Sequence, residues 1–134
     1  MGKRPSLFEE FCTQAAQAFS FLVENAGFTG PEATDNGLRF RRPGLVVDSW
    51  FLNGHEPGVV TGVSALGPDG AEGRTAWLDD LYVAAGCGPA QDVPGQAPNR
   101  RSTLKRVGRH TGALQRLLPY LLGPGSDDLI ARSC

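Results

Sequence analysis

Few side chains in this sequence could do covalent chemistry. Cys87 lies between Gly86 and Gly88. A thiol in a glycine-rich turn becomes a nucleophile when a base stands beside it and backbone amides can hold an oxyanion. His55 and His110 are the two histidines that could supply the base, and no spacing ties either to Cys87. His55 falls in Asn53-Gly54-His55-Glu56-Pro57, the form of a hairpin loop, where His55 and Glu56 could act as base or ligand. Cys87 and His55 are therefore the catalytic candidates, and they do not add up to a catalytic set. Asp79 and Asp80 are adjacent, so on a helix they diverge and are not an acid/base dyad by themselves. Each can cap, pair with an arginine or present charge to a partner.

Cys12, Cys87 and Cys134 are odd in number and contain no CxxC pair, and no HxxxH or HExxH spacing occurs. Neither a disulfide framework nor a zinc site is suggested, and no metal or cofactor is expected. The glycine-containing stretches GAEG and GCGP match no phosphate-cradling pattern. From Val93 to Ser126 the chain carries Arg100, Arg101, Lys105, Arg106, Arg109 and Arg116 without one acidic residue. Such a helix could grip phosphates. Lys105, Arg106, Arg109 and Arg116 also fall opposite a leucine seam, where an amphipathic helix must place its charges, and no aromatic residues are interleaved to stack on bases. Nucleic-acid binding through 100–116 is thus a third-ranked reading.

The elements that would position these residues fit one domain spanning 1–134, since 134 residues build a single core. Gly (18) and Pro (10) stay below the level of a low-complexity chain and concentrate in connections. A net charge of −1 provides no global field toward nucleic acid or an anionic membrane. The excess of Arg over Lys with abundant Ala, Gly and Pro suggests a GC-rich bacterial genome. No stretch approaches the roughly 18 apolar residues of a membrane span, and the first residues lack the apolar run of a signal peptide. The expectation is a cytoplasmic protein with no membrane partner.

Around Leu38 to Leu66 the runs LRFRR, LVVDSWFL and GVVTGVSAL are separated by turn formers and predict a three-stranded antiparallel meander. Ser6 to Glu9 has the form of a capping box opening a long helix, with Phe8, Cys12, Ala15, Phe19, Leu22 and Ala26 as its stripe and Gly27 as its end. Thr29 to Gly37 reads as turn, Gly67 to Gly73 as loop. Trp77 to Ala85 favours a short helix over a strand, and Gly86 to Asn99 a long loop of the length that is functional or mobile. Asn99 should cap a second long helix with Leu104, Val107, Thr111, Leu114, Leu118 and Leu121 as its seam, and Ser126 to Asp128 a short last one. The fold class expected is α+β: a three-stranded antiparallel meander packed with two long helices and a short helix in two layers.

In the middle strand Leu45, Val47, Ser49 and Phe51 point one way, and Val46, Asp48, Trp50 and Leu52 the other. Both faces are largely apolar. The second is covered by the C-terminal part of the chain, paired with another molecule, or used for binding.

The order of Phe8, Phe11, Cys12 and Ala15, then Gly27-Phe28, a meander and Trp77-Leu78-Asp79-Asp80-Leu81-Tyr82 before a long helix resembles small bacterial α+β proteins of the immunity type from polymorphic toxin systems. The resemblance implies a protein that binds and blocks a partner through charged and aromatic surface residues. The expected function is a non-enzymatic interaction module, with a protein partner such as a toxin, or a second copy in a homodimer. Its expected surface combines Asp48, Trp50, His55, Glu56, Asp79 and Asp80. A small enzyme using Cys87 or His55 is the alternative.

Overall fold

Ser6 accepts a hydrogen bond from the Glu9 amide at 3.1 Å and opens helix α1 (Leu7–Ala18), satisfying one donor that the first turn leaves orphaned. The structure is a computed structural model and describes residues 6–52, 57–97 and 99–134. The apolar stripe does not continue as one helix. It breaks at Phe19 (φ −89°, ψ 4°) and resumes as α2 (Ser20–Asn25). Phe19 is fully buried, its ring 5.9 Å from that of Phe40, so a tertiary contact sets the break where periodicity alone predicts none. Gly27, at φ +75°, turns the chain out of α2.

Five strands follow: β1 (Thr29–Ala33), β2 (Gly37–Arg42), β3 (Leu45–Leu52), β4 (Gly58–Leu66) and β5 (Glu72–Trp77). They pair antiparallel in the order β1-β2-β3-β4-β5. The three-stranded meander is therefore corrected to a five-stranded sheet, and the two long helices to one long helix, α4, preceded by the broken α1–α2 pair. The class remains α+β. Both strands that the sequence conceals are edge strands. All five residues of β1 are exposed, and in β5 only Ala76 is buried. An edge strand tolerates Gly30 and Pro31 and needs no apolar alternation.

Helix α3 (Leu78–Ala84) leaves β5 directly, and Gly86 at φ +76° ends it. A single 3-10 turn (Ala90–Asp92) precedes α4 (Arg100–Leu121), which Asn99 and Ser102 open with a reciprocal capping box. Helix α5 (Ser126–Arg132) closes the chain. Leu38, Phe40, Leu45, Val47, Phe51, Val59, Val63 and Ala76 turn one sheet face into the core, where they meet Phe11, Leu22, Leu81, Val107, Leu114, Leu117 and Ile130 of the helices. All the helices lie on that face, giving two layers. Among the described residues no helix is long and apolar enough to cross a membrane.

Candidate binding site

Among the described residues no helix covers the other face of the sheet, so its own side chains must deal with water, and its two ends do so differently. At one end Arg39 on β2 donates from Nε to Asp48 on β3 at 2.7 Å, and from a terminal nitrogen to Glu72 on β5 at 2.5 Å. One guanidinium thus spans from the second strand to the fifth. The Asp48 hydrogen bond, with help from both carboxylates' charge, raises the Arg39 pKa above its usual value. Arg41 pairs with Glu32 at 2.8 Å, and Ser64 with Thr75 at 2.9 Å. Val46, opposite Arg41 and Ser64 in the ladder, is fully buried although it faces away from the helices. Long polar side chains lying over the strands provide that cover.

The other end is apolar and open. Trp50 on β3 and Trp77 at the end of β5 meet edge to face, with ring centroids 5.7 Å apart and planes at 72°. Gly62 on β4 makes this possible. It pairs with Trp77, and a Cβ there would meet both indole rings at 3.2–3.3 Å and the Thr75 methyl at 2.5 Å. The rings border a cleft of about 600 Å³ whose lining includes Leu52, Val60, Asn36, Asp79 and Asp80, within the range of pockets that take small ligands or anchor residues. Trp77 is 43% and Leu52 41% exposed.

The far wall comes from the long loop, expected from its length to be functional or mobile, whose backbone is hydrogen-bonded to the sheet and to α4. Its carbonyls at Pro94, Gly95 and Gln96 accept from His110 Nε2, the Val59 amide and Arg106 Nε, each at 2.9 Å. The Ala97 amide donates to Pro57 at 2.9 Å, and Asp92 accepts from the Tyr82 hydroxyl at 2.9 Å. Val93 and Gly95 thereby become fixed cleft residues.

No protein-family model, curated protein or solved structure matches this chain. The site therefore rests on its own geometry.

Of the surface expected from sequence, Trp50, Asp79 and Asp80 do line one cleft. Asp48 does not. It is 2% exposed and held by Arg39, so it is a buried counter-ion rather than a contact residue. His55 and Glu56 lie outside the described residues. Trp77 was missed because it stands at the strand-to-helix junction, where it reads equally as a helix residue. No sequence signal marks it, because β5, which carries it to Trp50, has no buried alternation to read.

Of the catalytic candidates, only Cys87 falls within the described residues. The Cys87 thiol points at the Arg116 carbonyl at 3.9 Å, and burial pushes its pKa up, with the charge of Arg116 pulling weakly the other way. Both ring nitrogens of His110 are occupied, by Thr61 and Pro94. Burial depresses the His110 pKa, opposed by the Pro94 hydrogen bond and by Asp79. His110 is a core residue that ties three elements together. Among the described residues no group of three His, Cys, Asp or Glu side chains could hold a metal ion.

On the basic helix, Arg100 pairs with Glu10, Arg106 with the Gln96 carbonyl and Arg116 with the Tyr82 hydroxyl. Those three arginines fasten the fold and are poorly placed to follow a phosphate backbone together.

Proposed function

We propose that the chain is a non-enzymatic protein-interaction module that receives its partner at the helix-free end of the sheet. Toxin neutralisation is the specific role suggested by the resemblance to immunity proteins. The observation that carries the reading is the pair formed by half-buried Trp50 and exposed Trp77 at the edge of the cleft of about 600 Å³. Tryptophan is among the residues that dominate binding energy when a partner desolvates it. A fixed apolar cleft beside it supplies a pocket of the kind such an anchor needs. The rest of this face is neutralised by its own ion pairs, which confines the sticky surface to one end.

The test uses two positions of equal exposure. Leu52, at the cleft, and Val23, on the helical side, are each 41% exposed. A photo-crosslinking amino acid at Leu52 is expected to give one discrete protein adduct in the native host, and the same group at Val23 none. Equal labelling from both positions, or none from either, would remove the assignment. An adduct with a second copy of the chain would make the partner the chain itself.

A further inference from the structure

The carboxylates of the helix-free face are not treated alike. Asp48 and Glu72 share Arg39, and Glu32 has Arg41. Asp79 and Asp80 have no ion-pair partner among the described residues, and they line the cleft together with both tryptophans. Among the described residues no Lys or Arg lines the cleft, and the two charged side chains that do are both acidic. Placement in the first turn of α3 gives these acids a favourable interaction with the helix. That accounts for acidic residues at these two positions but not for a tryptophan pair meeting them in one cavity.

We infer, building on the binding role proposed above, that the cleft receives an arginine or lysine side chain of a partner polypeptide. The indole rings offer the negative faces that attract an alkylammonium or guanidinium group. Leu52 and Val60 suit the apolar stem that carries it. Asp79 and Asp80 supply the countercharge at the rim. A purely apolar anchor would leave the two carboxylates beside it without a partner, and an acidic one would be repelled.

The full chain, isotope-labelled at its two tryptophans, is titrated with short capped peptides differing only at a central arginine, lysine, citrulline, norleucine or glutamate. The arginine and lysine peptides are expected to shift both indole N–H resonances saturably. The citrulline peptide, which keeps the shape of arginine without its charge, is expected to bind about tenfold more weakly, equivalent to roughly 1.4 kcal/mol. In the double variant Asp79→Asn/Asp80→Asn the arginine peptide should fall to the citrulline level while citrulline binding is unchanged. Trp77→Leu should weaken both.

Citrulline or norleucine binding as tightly as arginine overturns the cationic anchor and leaves the cleft as a binding surface. If no peptide moves either resonance, the inference fails, and the crosslinking from Leu52 decides separately whether the cleft binds a partner at all. Loss of arginine binding in the Asn variant with an unfolded thermal profile would not count as support. In that case Asp80→Asn alone, with a native melt, must still weaken arginine relative to citrulline, and equal affinities would overturn the proposal.

Discussion

Thr61 Oγ1 and His110 Nδ1 lie 2.8 Å apart, joining two residues that are 49 positions apart in the chain. The other ring nitrogen, Nε2, faces the Pro94 carbonyl at 2.9 Å. A carbonyl only accepts, so Nε2 carries the proton and Nδ1 accepts from the threonine hydroxyl. The neutral imidazole thus holds sheet, helix and loop at one point, and Thr61 itself lines the cleft.

This arrangement predicts a pH dependence of stability. Burial lowers the folded pKa of His110 below the roughly 6.5 of an exposed imidazole. As the pH falls, the unfolded chain takes up the proton first. The stabilisation is complete above about pH 6.5 and is lost as the pH drops through the lower folded value. Thermal melts of the wild type should fall over that interval. His110→Gln should be less stable near neutral pH and should show a shallower decline; identical pH slopes for the two proteins would refute this role.

Arg39 and Glu72 should differ sharply on truncation. Asp48 is 3% exposed at its side chain and depends on Arg39, itself 21% exposed. Arg39→Ala leaves a buried carboxylate unpaired and should cost about 2–3 kcal/mol in denaturant unfolding, somewhat less than a fully buried pair would. Glu72, 39% exposed, sits at the open end of the same bridge. Glu72→Ala should cost under about 1 kcal/mol. A similar loss for both would mean that Asp48 finds another donor.

Thiol labelling should be ordered by exposure and acidity. Burial raises the pKa of Cys12 and Cys87, which keeps both protonated near neutral pH, whereas Cys134 is exposed. Mass spectrometry during alkylation should find Cys134 modified first and Cys87 slower than a free thiol. Fast, saturable modification of Cys87 would revive the enzyme reading.

Gly62→Ala should disturb the tryptophan pair. The added methyl would lie 2.5 Å from Thr75 Cγ2 and within 3.3 Å of both indoles. An overpacking loss of about 1–3 kcal/mol is expected, with a changed near-ultraviolet circular dichroism from the displaced rings. An unchanged spectrum would mean that the rings do not rest on Gly62.

The central strands were legible because Leu45 to Leu52 and Gly58 to Leu66 carry β-branched and aromatic residues between strong turn formers. Strands β1 and β5 were not, since an edge strand need bury little and so carries no pattern to read. The helix starts at Ser6 and Asn99 could be read because a cap is a local bond within three residues. The break at Phe19 could not, because it depends on Phe40, twenty-one positions away. Trp50, Asp79 and Asp80, singled out in the sequence by residue type, line one cleft. Asp48 was misjudged because only the register shows Arg39 directly opposite it. The wall at Val93 and Gly95 follows from hydrogen bonds to His110 and Val59 that no spacing announces.

The isolated bridge between Gly58 and Gln96 has a further consequence. Strand β5 pairs only with the second half of β4, from Gly62 onward. Where β5 turns away into α3, the Gly95–Ala97 segment takes its place alongside the start of β4. At Gly58 and Val59, the start of β4 is therefore no free rim onto which a foreign strand could zip. The free rims belong to β1, interrupted by Pro31, and to the outer side of β5. On the proposed binding role, a visitor to the cleft would be read by side chains, as a lock reads the cut of a key, rather than by annealing to this stretch of the sheet.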